Sequence, residues 1–158
     1  MNRQQKQNEK GFTIIEVVLV LAIAALIFLM VFIALPALQE SQRDSQRRQD
    51  LSRAQTALNQ FQSNNRNQVP DAGDYDTELK DRYLLADSSN CTFEDPSRGE
   101  YNFVDGSDGG EPTYNDDEAQ IFVTVGSVCD GEGLKDGASR NVAFRMALEG
   151  GGIACASN

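Results

Sequence analysis

The reading of the fold starts from FTIIEVVLVLAIAALIFLMVFIAL, residues 12–35, a run broken only by Thr13 and Glu16. As a helix rising ~1.5 Å per residue it spans about 36 Å, enough to cross a hydrocarbon core of roughly 30 Å. A helix that is apolar all round must be wrapped by protein or by lipid, and the rest of the chain has too little apolar surface to wrap it. A cleaved secretory signal would have an apolar region of about 7–15 residues and end in a small-x-small site. This run is longer, and Ala34-Leu-Pro-Ala37 at its end is a poor site of that kind. The segment therefore reads as a permanent anchor. The basic residues ahead of it place that end in the cytoplasm and the remainder of the chain outside.

Working outward from the anchor, Pro36 predicts a kink, because proline inside a helix removes a hydrogen bond and crowds the preceding turn. From Gln39 to Asp50 no residue is apolar. The expectation is a solvated stalk, steadied by Glu40–Arg43 and Asp44–Arg47/Arg48 pairs worth a few tenths of a kcal/mol each. Leu51, Ala54, Leu58 and Phe61 then recur on one helical face and predict the core contact of a globular head. A continuous helix from Phe12 to Asn64, kinked at Pro36, would be roughly 80 Å long.

Beyond it, Val69-Pro70 opens a loop, and Tyr75, Leu79 and Tyr83 predict a short helix over Asp76–Leu85. Tyr101–Val104 and Gln120–Gly126 read as strands. In Asn141–Glu149, Val142, Phe144, Met146 and Leu148 alternate with Ala143, Arg145, Ala147 and Glu149, and Gly150-Gly151-Gly152 turns the chain into a last strand, Ile153–Ala156. The expected fold class is α+β: a long N-terminal helix, half transmembrane and half amphipathic, packed on a small antiparallel sheet of three or four strands. The expected divisions are a leader (1–11), a transmembrane and assembly helix (12–35), its continuation (36–65) and an acidic head (66–158).

Charge is unevenly distributed. Residues 1–66 carry eight basic and five acidic groups, net +3, whereas residues 67–158 carry six basic and 19 acidic, net −13. Such a head repels nucleic-acid phosphates, so no nucleic-acid partner is expected through it. The chain has no His, which removes imidazole from every catalytic and metal-binding constellation. No phosphate-binding glycine loop and no recognisable nucleophile–base pair is present, and the chain reads as a non-enzyme. Three cysteines in a segment outside the cytoplasm imply one disulfide and one leftover thiol, and spacing alone permits three pairings.

Glu16 is the informative residue of the anchor. A carboxylate within a membrane segment costs ~2.5–3.5 kcal/mol on insertion scales, less near the interface. Cleavage between Gly11 and Phe12 would create a cationic amino terminus one turn before Glu16, and the terminus of a neighbouring copy could neutralise the carboxylate. Here Lys10-Gly11-Phe12-Thr13-Ile14-Ile15-Glu16-Val17, after a short basic leader and before the apolar run, resembles the start of type IV pilin precursors and pseudopilins. The resemblance covers about residues 6–35. It implies cleavage after Gly11 by a prepilin peptidase, N-methylation of Phe12 and docking of subunits through Glu16. It also associates Pro36 with the helix-breaking proline that many members carry.

The implied function is a structural subunit of a type IV pilus-like filament. The alternatives are a pseudopilin of a type II secretion or DNA-uptake system and, in another class, a membrane-tethered calcium-binding or enzymatic domain. The implied partners are further copies of the chain, the peptidase, the pilus assembly machinery and, before assembly, membrane lipid. The implied location is the membrane with the head outside, then a cell-surface filament. Members of the family commonly close the C-terminal region with a disulfide, which points to Cys129 and Cys155, with Cys91–Cys129 still open. Some pseudopilins bind calcium in a glycine-rich acidic loop. Asp105, Asp108, Glu111, Asp116 and Asp117 are the candidates here, although their spacing is not that of an EF-hand, and solvated surface is the commoner role of such loops. Otherwise no cofactor is expected. Glu94-Asp95-Pro96-Ser97-Arg98-Gly99, followed by Tyr101, resembles a turn of major pseudopilins, though a turn needs no function to explain it.

Overall fold

The computed structural model describes residues 11–71, 73–85 and 93–158. One helix, α1, runs Ile14–Asn64 without interruption through Pro36. The chain divides between Leu38 and Gln39 into two compact units. In the first, the side of every large hydrophobic from Phe12 to Leu38 is exposed. In the second, α1 lays Leu51, Ala54, Leu58 and Phe61 into a core, as the periodicity predicts.

After α1 the chain turns at Arg66 and Asn67, both with positive φ (54° and 65°), and the amide of Asn67 closes the helix end by donating to the Gln62 carbonyl at 2.7 Å. The predicted short helix is present, but as a π-helix, Tyr75–Leu84, ended by Leu85 N–H donating to Lys80 O at 2.9 Å. Tyr75 and Leu79 are buried in the core and Tyr83 packs on its edge. The apolar spacing announced a helix, and nothing in that spacing separates a π-turn from an α-turn of such short length.

The head carries β1 (Glu94–Asp95), β2 (Gly99–Asp105), β3 (Ala119–Val125), β4 (Ser127–Asp130), β5 (Gly133–Asp136), β6 (Val142–Ala147) and β7 (Ile153–Ser157). Five of them form one sheet in the order β1-β2-β3-β6-β7, and β4-β5 form a separate hairpin. The α+β class with a long N-terminal helix holds. The sheet itself is larger than expected and mixed, because β2 runs parallel to β3, with Tyr101 opposite Ala119 and Asp105 opposite Val123. A parallel pair needs a long crossover, and residues 106–118 supply it without any helix or strand. At Gly106 a Cβ would lie 2.7 Å from Thr124 Oγ1, so only glycine lets the crossover leave β2 so close to β3.

Ile121 and Val123 of β3 and Val142, Phe144 and Met146 of β6 face the helix stripe. The alternation predicted for β6 is present, yet its other face is buried as well: Ala143, Arg145 and Ala147 are all enclosed. The crossover covers part of that face, since Arg145 Nη2 donates to Gly110 O at 3.0 Å.

Candidate functional site

Residues 11–13 precede the helix in exposed, non-helical chain. Thr13 caps α1: its Oγ1 accepts from the Glu16 amide at 3.3 Å, and its carbonyl accepts from the same amide at 3.1 Å. The local sequence Thr-x-x-Glu ahead of an apolar run carries this cap signature, with a carboxylate at the positive end of the helix dipole. The Gly11–Phe12 bond therefore lies just outside the helix, and Glu16 sits in its first turn. A Cβ at Gly11 would meet nothing within 4 Å, so packing within the chain does not require glycine there. From Ile14 onward α1 is long and apolar enough to cross a membrane, with a mean hydropathy of 3.3 in its most apolar window and none of that window buried.

Residues 6–32 match the prokaryotic N-terminal methylation motif. The N-terminus is a class III prepilin signal. That signal is the kind carried by type IV pilins and pseudopilins, and with the apolar helix after it marks a membrane-anchored precursor. The motif ends before the head begins, and no curated protein and no solved structure matches the chain.

In the head, Cys129 of β4 and Cys155 of β7 form a disulfide, with Cα atoms 5.9 Å apart, tying the hairpin to the edge of the main sheet. Cys91 lies outside the described residues. The calcium candidates lie along the end of β2 and the crossover. Asp105 accepts from the Ser107 amide at 2.9 Å, which holds its carboxyl below the usual range, and the side chain of Asn115 accepts from the Asp117 amide at 2.9 Å. Among the described residues no three or more of the Cys, Asp and Glu side chains gather into a group able to hold a metal ion.

The structure corrects one expectation outright. The stretch Gln39–Asp50 is not a solvated stalk, because Asp44, Arg47 and Asp50 are buried and Arg47 is fully enclosed. These three residues extend the Leu51–Phe61 stripe upward on the same face of α1, in charged form. Arg47 reaches Asp95 through two parallel hydrogen bonds, Nε to Oδ2 at 2.7 Å and Nη2 to Oδ1 at 3.0 Å. It also donates through Nη1 to Asp44 at 2.8 Å and Glu149 at 3.1 Å, and through Nη2 to Ser97 at 2.7 Å.

Each carboxylate is satisfied in turn. Asp44 accepts from the amides of Glu149 and Gly150 at 3.0 and 2.9 Å. Asp95 accepts from the Ser97 and Arg98 amides and from Arg98 Nη2 at 2.8 Å. The ring of Tyr114, from the crossover, lies 4.5 Å from the Arg98 guanidinium and 5.4 Å from that of Arg47. Arg43 completes the seam, its Nε donating to Glu149 at 2.8 Å.

Burial opposes ionisation of Asp95 and Asp44, but hydrogen bonds outweigh it and hold both carboxyls below their usual range. For Asp95 the donors are chiefly Arg47 and Arg98, and for Asp44 chiefly Gly150 and Arg47. Hydrogen bonding from Arg43 brings Glu149 down to about 2. Asp50 behaves oppositely: burial raises it, despite donation from Arg53 and Tyr101.

The partners of Arg47 lie 48 residues away at Asp95 and 102 away at Glu149, beyond the reach of any helical periodicity. The available signal was the turn around Asp95, which resembles one in pseudopilins. Here its carboxylate is the acceptor on which Arg47 and Arg98 converge. The seam binds three regions of the head together: α1, the β1–β2 turn and the turn after β6. Its carboxylates and the Arg47 guanidinium are paired with one another, and one donor of the seam, Arg98 Nε, is buried without a hydrogen bond.

Proposed function

We propose that this chain is the precursor of a structural subunit of a type IV pilus-like filament, cut after Gly11, N-methylated at Phe12 and assembled through its apolar helix. The observation that carries the reading is the methylation motif ending in a helix whose first turn holds Glu16 and whose preceding residues, Gly11 to Thr13, are exposed and non-helical. A peptidase needs extended chain at the bond it cuts. Gly11 has open space around it, so its identity is better explained by recognition than by packing.

Cleavage leaves a cationic terminus close to a carboxylate that is costly in lipid. Pairing Glu16 with the terminus of an adjoining subunit removes that cost and sets the stagger between copies. The large hydrophobics of α1 exposed from Phe12 to Leu38 would lie in lipid before assembly and against other copies of the helix afterwards. The head would stand outside the cytoplasm, and a prepilin peptidase and an assembly machinery are the proteins this route requires.

Intact-mass spectrometry of the protein from its native cells tests the reading. A chain beginning at Phe12, heavier by one methyl group, is expected, and a mass that retains Met1–Gly11 overturns it. Glu16→Ala is expected to be inserted and cut normally yet to leave few or no filaments in electron micrographs. Filaments at the normal level would remove the docking role. Long surface fibres containing this chain would mark a pilus, and short ones confined to a secretion or uptake machine would mark a pseudopilin.

A further inference from the structure

One unexplained feature of the head is a small cavity lined by the start of the π-helix and by residues of β2 and β3. It has a volume of about 90 Å³ and is lined by Gly73, Tyr75, Asp76, Phe103, Asp105 and Val123, among others. Its floor is aromatic and aliphatic and its rim is acidic. Tyr75 is only 4% exposed, and its hydroxyl has no hydrogen-bond partner. The carboxylate atom Oδ1 of Asp76 is likewise buried without a hydrogen bond, and the nearest cation, Lys80 Nζ, is 3.9 Å away. Lys80 is itself engaged, donating to Tyr101 O at 2.9 Å.

A buried hydroxyl left unpaired is costly, and this one lies where Asp105 and Asp71, after burial itself, help keep the phenol protonated. Asp105 accepts from the Ser107 amide through Oδ1 and is also hydrogen-bonded by the Ser107 side chain, and a carboxylate with two such partners keeps further acceptor capacity.

These groups select a ligand. An anion is repelled by Asp76 and Asp105. A bare metal ion finds no gathered set of three ligands among the described residues. A neutral apolar molecule would fill the floor and leave the acceptors unused. A primary ammonium on an apolar stem satisfies all of them: its stem lies on Phe103 and Val123, its charge stands beside two carboxylates and the aromatic faces, and its N–H groups reach acceptors.

We propose that the cavity bounded by Tyr75, Asp76, Phe103 and Asp105 is a binding site for a primary alkylammonium group. Two sources carry that chemistry: a free alkylamine, or a lysine side chain of a second copy. Of the chain's lysines, Lys6 and Lys10 precede the cleavage site and Lys80 is buried, whereas Lys135 is exposed on β5. The second source rests on the assembly reading above; the first does not.

The test is a titration of the full-length chain in detergent micelles with n-butylammonium chloride, followed by the amide NMR signals of Gly73, Val104 and Val125. n-Butanol serves as the neutral isostere, and ionic strength is held constant with sodium chloride. Saturable shifts are expected with the amine, about tenfold weaker binding in Asp105→Asn, where the amide oxygen can still cap Ser107, and weaker binding in Tyr75→Phe, which loses only an unpaired hydroxyl. Both variants are expected to melt within a degree or two of the parent. Shifts that rise linearly without saturating, or saturation by n-butanol at the same midpoint, overturn the proposal. Carbodiimide coupling of assembled material then separates the sources. An Asp105–Lys135 cross-link between copies that is lost in Lys135→Gln assigns the site to a neighbouring subunit. Saturable amine binding without the cross-link assigns it to a free amine.

Discussion

The two halves of α1 solve opposite problems with one kind of backbone. From Ile14 to Leu38 the helix presents apolar side chains in every direction and buries none of its large ones within the chain, so on the proposed function its partners are lipid or other copies. From Gln39 to Asn64 it buries one face against its own chain, and the upper part of that face is Asp44, Arg47 and Asp50 rather than hydrocarbon. In the first half the chemistry is additive and tolerant, because any apolar residue of similar size serves a fluid environment. In the second it is specific, because a buried guanidinium is stable only where carboxylates and amides have been brought to meet it. A buried ion network gives little net stability over an apolar substitute, but it rejects any register of helix against sheet that leaves a charge unpaired.

The contrast is broken most severely at Arg47. Arg47→Ala leaves Asp95 and Asp44 buried without their main cation and is expected to cost about 3–5 kcal/mol, read as a fall in the denaturant midpoint of the head. Arg47→Lys is expected to recover only part of this, since an ammonium cannot make the two parallel bonds to Asp95. A head as stable with alanine as with arginine would mean the seam is incidental.

Next in size is the Cys129–Cys155 bond, which closes a loop over a sequence separation of 26. Its reduction, or the paired Cys→Ser change, is expected to lower stability by about 3 kcal/mol through the greater freedom of the unfolded chain, and thermal melts with and without reductant measure it.

Acid sharpens the comparison further. Glu149, Asp95 and Asp44 all have folded pKa values below their ordinary ones, so the stability they supply is complete above about 4.5, the unfolded value of Glu149, and drains as pH falls toward 2. Asp50, whose pKa is raised, works the other way and softens the fall. Melting temperature against pH is expected to drop over that window, and to drop less in Arg47→Met, which removes the Arg47 share of the linkage while Arg43, Arg98 and the Gly150 amide keep theirs. The smallest effect is expected at the other end of the helix. Glu16→Gln should change head stability by less than ~0.5 kcal/mol, because Glu16 is an exposed residue of the other compact unit. A larger shift in the melt would show that the two units are coupled.

Much of the head was legible from residue spacing. The Leu51, Ala54, Leu58, Phe61 stripe, the β3 and β6 segments and the last strand lie where their periodicities put them. Strand direction was not legible, since an apolar alternation reads the same from either end, and β2 proved parallel to β3. Nor was burial of the outer face of β6, because Ala143 and Arg145 are enclosed by segments that carry no periodicity of their own. The failure at Gln39–Asp50 has the same root. Hydropathy scores each residue against water, whereas Arg47 is scored in the fold against Asp95 and Glu149.

The sequence by itself determined the long apolar helix, the methylation motif over residues 6–32 and the acidic character of the head, because each depends on residue types close to one another along the chain. Only the tertiary structure decided the mixed sheet, the pairing of Cys129 with Cys155, the charged seam and the cavity beside Tyr75. Each of those depends on groups that are dozens of residues apart along the chain and become neighbours only when the backbone closes.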